Sequence, residues 1–249
     1  GYSNVCENTG AIGRLGAEYL LERRFRNFAF CGFFRDYWSE VRGQSFSDTI
    51  RQQNYGIHIY EPPKRQKGFR WESEISYMVK WLKSLPKPIA LMACNDERGQ
   101  HVLDACKIAG LNVPDDIAVL GVDNDDMICE MTDPPMSSVV LNFKKCGYEA
   151  ANTLARLMQG ERISEKIAIE PLTVVSRQST NLLAIKDREL ADVLKYIREH
   201  AREKINVNEI VKISAMSRHV LYRKFRNALS RSPHEEILRV RMNEMASML

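Results

Sequence analysis

Apolar runs alternate with amphipathic stretches over the first half of the chain. The amphipathic stretches predict helices at residues 9–24, 39–50, 72–85 and 98–110, with Asn8 or Thr9 capping the first and Ser39 capping the second. The apolar runs between them predict strands at residues 28–33, 57–60, 89–94 and 117–122. Strands that are apolar on both faces and separated by helices form parallel sheets covered on both sides. The pattern therefore predicts a doubly wound α/β fold.

Polar residues follow three of the predicted strands. They are Asp36, Trp38 and Arg42 after the first strand, Asn95 and Asp96 after the third, and Asp123, Asn124, Asp125 and Asp126 after the fourth. In doubly wound folds, ligands bind where the carboxyl ends of the strands meet. Carboxylates and amides bind hydroxyl groups, a guanidinium offers a planar set of donors, and an indole covers C–H groups, so this set is typical of a site for a polyhydroxylated ligand. Each of Asn95, Asp96 and Asp123 also fits a helix cap, and that alternative stays open.

The last quarter of the chain has a purely helical pattern. One predicted helix has an apolar face formed by Leu190, Val193, Leu194, Ile197 and Ala201, and a second, short helix contains Val207, Ile210 and Val211. A tight link through residues 214–216 leads to a third helix, capped by Ser217, in which Leu221 and Phe225 face inward. This spacing predicts a helix-turn-helix. We therefore divide the chain into an α/β domain, residues 1–185, and an all-α domain, residues 186–249.

Charge separates the same two parts. The 249 residues contain 36 Lys and Arg against 32 Asp and Glu, a net charge of +4. Residues 186–249 hold fourteen of the basic residues and nine of the acidic ones, a net of +5, so the remainder is close to neutral. A basic excess on one helical segment predicts a nucleic-acid partner. The predicted DNA contacts are Ser217 at the helix start, Arg218, His219, Tyr222 and Arg223 toward base edges, and Lys224, Arg226 and Arg231 toward phosphates.

Several other classes of protein are disfavoured. The six cysteines are widely spaced without a C-x-x-C pair, which indicates reduced, structural thiols and a cytoplasmic location. No apolar run is long enough to span a bilayer. The acidic run 123–126 lacks the alternating ligands and terminal Glu of an EF-hand, so we expect no metal. Signatures of nucleophile, nucleotide or zinc chemistry are missing, so we expect neither cofactor nor enzyme, although a sugar-modifying enzyme using strand-end carboxylates stays an alternative.

Two regions of the chain resemble known families of regulators. Residues 217–225, followed by Ser232-Pro233 and Arg241, resemble the first helix-turn-helix of the AraC/XylS family. The upstream part resembles the periplasmic-binding-protein-like core of the LacI/GalR regulators at residues 16–23, 38–42, 93–96, 113–117, 120–123 and 137–139. The combination, together with residues 122–126 and 176–180, is similar to a group of xylose-responsive regulators that join both parts.

The resemblance implies a transcription factor that senses a sugar, D-xylose being the expected effector. It further implies operator DNA as a partner, a homodimer, and RNA polymerase as a further possible partner. By resemblance, Glu7, Arg42, Asn95 with Asp96, and Asp123 fall where the family contacts its ligand. A sugar-binding protein without DNA function is the alternative from another class, and it is disfavoured because we see no export signal and the tail has an organised helix-turn-helix.

The chain departs from these families in several places. Glu7 stands where an Asp is more frequent, and Ala215 stands where the turn usually has Gly. Compared with the family, the chain begins near the second lobe of the sugar domain and stops inside the helix that leads to a second helix-turn-helix. Residues 143–160 would then belong to the first lobe, and we expect their apolar face, Ala150, Leu154 and Leu157, to be exposed.

Overall fold

The computed structural model describes residues 4–33, 35–62, 71–161, 163, 166–181, 187–229 and 231–246. It divides into two compact units, Gly1–Leu182 and Leu183–Leu249. The first unit is α/β and the second, in its described part, is helical. The sequence also predicts a turn at residues 61–64, directly after the predicted strand 57–60, and Pro63 and Lys64 of this turn lie outside the described residues.

The α/β unit alternates strands and helices along most of its length. Its elements are β1 (Asn4–Glu7), α1 (Thr9–Glu22), β2 (Phe28–Cys31), α2 (Tyr37–Gln52), β3 (Ile57–Ile59), α3 (Trp71–Ser84), β4 (Ile89–Ala93), α4 (Asp96–Ala109), β5 (Ile117–Asp123), α5 (Asp126–Met131), β6 (Ser137–Val140), α6 (Phe143–Met158), β7 (Lys166–Ile169), β8 (Thr173–Val175) and a 3₁₀ turn (Gln178–Thr180). The main sheet has the order β3-β2-β4-β5-β6-β8, parallel except for β8. The predicted parallel α/β fold is confirmed, and a separate parallel pair, β1-β7, accompanies it.

The centre of the main sheet is fully apolar because helices cover both of its faces. All five residues of β4 and the first six of β5 are buried. Helices α1 and α2 pack against each other especially closely, because Gly13 has no side chain: a Cβ there would clash with the backbone of Arg42 and Phe46. This close crossing fixes the position of α2, and with it the side chain of Arg42.

Two predicted helix starts are wrong. Helix α2 begins at Tyr37 with Asp36 in the N-cap position, so Ser39 lies inside the helix and not at its cap. The Ser39 hydroxyl instead accepts a hydrogen bond from the backbone N–H of Phe33 at 3.0 Å, which fastens the loop after β2. Helix α4 begins at Asp96, two residues earlier than the apolar periodicity indicated, because Asn95 caps it.

Helix α6 carries an exposed apolar face, as predicted. It packs on the β1-β7 pair, yet Leu154 is 59% exposed, Leu157 is 41% exposed, and Ala150 is also exposed. Among the described residues, no helix combines the length and apolar character that a membrane span requires.

The second unit consists, in its described part, of α7 (Arg188–Glu199), α8 (Val207–Ser214), α9 (Arg218–Leu229) and α10 (Pro233–Ala246). The predicted inward residues of α7, α8 and α9 are buried in one apolar core with residues of α10. Asn206 and Glu209 form a capping box at the start of α8. Helices α8 and α9 are joined by residues 215–217, with Ala215 in the left-handed conformation at φ +51°.

Candidate functional site

A cavity of about 720 Å³ lies at the carboxyl ends of β2, β4 and β5. All seven residues predicted for the ligand site line it: Glu7, Trp38, Arg42, Asn95, Asp96, Asp123 and Asn124. Glu97, Asp125, Ile128 and Phe143 complete the lining. The sequence rule did not select Glu97, Ile128 or Phe143, and the neighbouring Asp36 and Asp126 are not part of the lining. Folding thus brings five separate segments of the chain, including residues of both sheets, to one place.

Arg42 is the principal cation of this cavity and is only 3% exposed. Its Nη1 donates to the backbone carbonyl of Cys94, and the Trp38 ring lies 5.1 Å from its Cζ. Its Nε–H has no acceptor among the described residues. Burial lowers the pKa of Arg42, while the charge of Asp123 acts in the opposite direction. A buried donor without an acceptor is unfavourable, so holding the Arg42 side chain in this position costs the fold some stability.

Asp123 lines the same cavity as Arg42, and it has a strained backbone and a carboxyl group with a raised pKa. Its backbone φ is +107°, which is unfavourable for a residue with a side chain. Burial raises the pKa of its carboxyl group to about 7, Arg42 counteracts this, and Asp96 and Glu7 add to the rise. Near neutral pH the group therefore exists in both forms and can accept or donate a hydrogen bond with a hydroxyl.

Asp96 has a mainly structural set of contacts although it lines the cavity. It is 1% exposed, its Oδ1 accepts from the Ser138 hydroxyl at 2.6 Å, and its Oδ2 accepts from the Asp125 N–H at 2.8 Å. Burial raises its pKa, and the bonds from Ser138 and Asp125 lower it. Asp96 therefore fastens the loop after β5 to the start of α4.

Of the three residues for which a helix cap was the alternative, only Asn95 is a cap: Asp96 is the first residue of α4 and Asp123 the last of β5. Asp125, which was not among them, caps α5. Asn95 Oδ1 accepts from the N–H of Arg98 at 2.9 Å, and Asp125 Oδ1 accepts from the N–H of Met127 at 2.9 Å and of Ile128 at 3.2 Å. The cap on α4 uses only the oxygen of the Asn95 amide. Capping and cavity lining are therefore compatible in Asn95, whose Nδ2 is not used in the cap.

Arg177 is a contributor to the site that reasoning from strand ends did not identify. Its Nη1 donates to Asn124 Oδ1 at 2.8 Å from outside the cavity wall. Arg177 follows the antiparallel strand β8, so the rule for carboxyl ends of parallel strands does not reach it. The only sequence signal was its place in the similar segment 176–180.

Helix α9 presents a basic outer face in the second unit. Leu221 and Phe225 are fully buried, and the side chains of Arg218, His219, Arg223 and Arg226 are exposed, with Tyr222 partly so. Ser217 caps the helix by accepting from the Val220 N–H at 3.3 Å. The predicted inward and outward faces of this helix are confirmed.

Two of the predicted phosphate contacts form ion pairs inside the second unit. Lys224 Nζ lies 2.7 Å from Asp187 Oδ2 and 2.6 Å from Glu189 Oε2, so it joins α9 to the start of α7. These two bonds raise the pKa of Lys224. Arg231 pairs with buried Glu236 at 3.3 Å. Both cations are paired inside the unit, so a DNA phosphate would compete with these carboxylates, and their contact with DNA stays a prediction.

The fold and the cavity together define a ligand-binding domain of the periplasmic binding protein type. Residues 17–180 match the model of the periplasmic binding protein-like domain, and the chain belongs to that family. The chain is 30% identical to the xylose operon regulatory protein of Haemophilus influenzae over 98% of its length, and 26% identical to the protein of the same name from Escherichia coli K12 over 93%.

A solved structure described as the xylose-binding transcription activator xylR is also similar. It matches 94% of the chain with a TM-score of 0.68 and 25% identity. The chain spans 64% and 60% of the lengths of the two relatives and 62% of the chain in the solved structure.

Proposed function

We propose that the protein is a sugar-responsive, DNA-binding transcriptional regulator that works in the cytoplasm and does not act as an enzyme. The cavity supports this most directly, because the buried Arg42 guanidinium, several carboxylates and an indole ring line it together. Such a lining suits a small neutral molecule with several hydroxyl groups, because every hydroxyl both donates and accepts. Glu7, Trp38, Arg42, Asn95, Asp96, Asp123 and Asn124 are the proposed sugar contacts.

The proposed effector is D-xylose. In this hypothesis the protein responds to D-xylose and controls a pentose-utilisation operon. Support comes from the relatives, two of which are named xylose operon regulatory proteins, and from the similar xylose-binding structure. The longer Glu7 side chain is the proposed point at which this protein differs from relatives with Asp. Because of these relatives, D-xylose is the first sugar to test.

The proposed DNA-binding element is the AraC-type helix-turn-helix formed by α8 and α9 within residues 186–249. Arg223, Arg218, His219 and Tyr222 are proposed to meet base edges, because α9 presents them outward. Arg226 and Lys224 are the proposed phosphate contacts, and Ser217 orients the helix start.

The mechanism we propose is a population shift. Sugar binding in the domain of residues 1–185 would favour one arrangement of a homodimer and so change how its recognition helices meet paired half-sites. RNA polymerase is a further proposed partner. The shift is limited by the difference in sugar affinity between the two arrangements.

The sugar hypothesis is tested by calorimetric titration of the protein with D-xylose, L-arabinose, D-ribose and D-glucose. We expect selective binding of D-xylose, and loss of that binding in Asp123→Ala. Asp48→Ala is the matched control, since it removes an exposed carboxylate on α2 that pairs with Arg51 outside the cavity. Failure of all four sugars to bind would refute the sensor hypothesis.

The DNA hypothesis is tested separately. Duplexes that the protein selects from a random pool are used in an anisotropy titration with wild type, Arg223→Ala and, as a control on α7, Lys195→Ala. We expect Arg223→Ala to lose about tenfold or more in affinity for the selected sequence while sugar binding is retained. If sugar binds but no duplex is selected, the alternative of a sugar-binding protein without DNA function is correct.

A further inference from the structure

The Arg177 side chain lies behind the cavity wall and is only 11% exposed. Its Nη1 donates to Asn124 Oδ1 at 2.8 Å and to the Met136 carbonyl at 3.1 Å. Its Nε donates to Glu130 Oε1 at 2.5 Å, and its Nη2 lies 3.5 Å from Asp126 Oδ1. One guanidinium therefore holds the loop after β5 together with both ends of α5.

That loop has a backbone that needs external support. Asp123 and Asn124 have φ values of +107° and +53°, two consecutive left-handed residues that carry side chains. Such conformations persist only where surrounding contacts enforce them. The Asn124 N–H donates to the Ser138 hydroxyl at 3.0 Å, and Arg177 supplies the side-chain contact.

The backbone of Arg177 is itself anchored firmly. Its N–H donates to Ser137 Oγ at 2.7 Å, and Ser137 Oγ lies 2.6 Å from Thr180 Oγ1. Thr180 Oγ1 in turn lies 2.7 Å from the Tyr19 hydroxyl on α1. The guanidinium is thus attached to the sheet through β6 and to α1, which gives it a fixed position from which to hold Asn124.

The contact with Arg177 also decides which end of the Asn124 amide faces the cavity. A guanidinium only donates, so the amide atom that it meets is the oxygen. The Nδ2 group has two hydrogens; one is directed to Asp126 Oδ1 at 3.5 Å, outside the lining, and the other is left for a ligand in the cavity. Without Arg177 the amide can rotate, and the cavity can receive an acceptor in place of a donor.

We propose that Arg177 is a positioning residue of the sugar site: it orients the Asn124 amide so that Nδ2 donates to a sugar oxygen. The inference rests on the sugar-binding function proposed above. It gives Arg177 a role in affinity that is exercised through Asn124 and not through direct contact with the sugar.

A double-mutant cycle in D-xylose affinity tests the proposal, measured by calorimetry on wild type, Arg177→Met, Asn124→Ala and the double variant. We expect Arg177→Met to weaken binding about tenfold, as for a lost charge-assisted hydrogen bond. In the Asn124→Ala background the same change should have an effect below about twofold, because its target is already missing. Arg177→Lys should restore part of the affinity, since an ammonium can still donate to Asn124 Oδ1.

Glu130→Gln is the matched control, because it weakens an ion pair of the same guanidinium without touching Asn124. We expect an affinity within about twofold of wild type for it. Near-ultraviolet circular dichroism reports folding, and if Arg177→Met does not fold, the cycle is run with Arg177→Leu. Equal effects of the Arg177 change in both backgrounds would overturn the positioning role while leaving the sugar function intact. Absence of D-xylose binding in wild type would overturn both.

Discussion

Replacing Asp123 with Asn removes an ionisable group whose folded environment opposes its charge. The pKa of the carboxyl group is raised from 3.8 to about 7, with burial as the largest cause. Arg42 is the nearby cation that counteracts the rise, whereas Asp96 and Glu7 add to it. Asn has nearly the same shape, so the variant isolates the free energy of ionisation.

The direction of the effect follows from proton linkage. Between pH 3.8 and about 7 the folded protein keeps a proton on Asp123 that the unfolded chain has lost. The stability that this proton provides is complete below the unfolded pKa and is lost as the pH rises through the folded pKa. One pKa unit corresponds to about 1.4 kcal/mol, so the whole shift from 3.8 to about 7 would correspond to about 4 kcal/mol of unfolding free energy if solvent did not screen the charge. Asp123 is only partly buried and solvent screens it, so we expect about 1–2 kcal/mol.

Urea unfolding at several pH values from about 5 to about 8 measures this quantity. The three tryptophans, Trp38, Trp71 and Trp81, all belong to the α/β unit, so their fluorescence reports that unit alone. The stability of Asp123→Asn relative to wild type should increase by about 1–2 kcal/mol between the two ends of the range. Asp48→Asn, an exposed carboxylate on α2, serves as the control. A difference between Asp123→Asn and wild type that stays constant across the range would refute the reasoning.

Two further substitutions test the backbone geometry. Gly13→Ala should lower the unfolding free energy of the α/β unit by about 2 kcal/mol in the same urea assay, because the added Cβ meets the backbone of Arg42. Gly147→Ala on α6 is its control: the added Cβ has open space around it, so this change should be neutral or stabilising. Ala215→Gly should slow hydrogen exchange in α8 and α9, because relieving the left-handed conformation stabilises these helices by about 0.5 kcal/mol. Ala228→Gly inside α9 should instead destabilise them and speed exchange. If both changes shift exchange in the same direction, the assignment of strain to Ala215 is wrong.

The site residues on the main sheet were predictable because a simple geometric rule governs them. Parallel strands buried on both faces appear as continuous apolar runs, and their carboxyl ends must meet at one edge. Arg42 and Asp123 follow different strands and are 81 positions apart in the chain, yet both line the cavity. Glu7 lies in the separate β1-β7 pair, and only the family resemblance placed it with the others.

Helix starts were harder to predict, because several residues near the start of α2 can serve as caps. Asp36 and Ser39 both have side chains suited to an N-cap. Asp36 takes the N-cap position, because the Ser39 hydroxyl instead accepts a hydrogen bond from the Phe33 N–H in the loop after β2. This bond joins residues six positions apart, and the preference of residue types for helix caps does not reveal it.

The roles of individual charges depended most on partners distant in the sequence. Arg177 meets Glu130 and Asn124 across 47 and 53 positions, and Lys224 meets Asp187 across 37. Counting the basic residues of α9 therefore overestimates the positive charge that this helix offers to DNA, because Lys224 is paired with acidic residues of the same unit. Three exposed arginines, at positions 218, 223 and 226, stay on the outer face. If α9 supplies the phosphate contacts of each protomer, the salt dependence of its DNA affinity should correspond to about three released counterions or fewer. A clearly steeper dependence would mean that Lys224 leaves its ion pairs or that basic residues outside this helix also bind the DNA backbone.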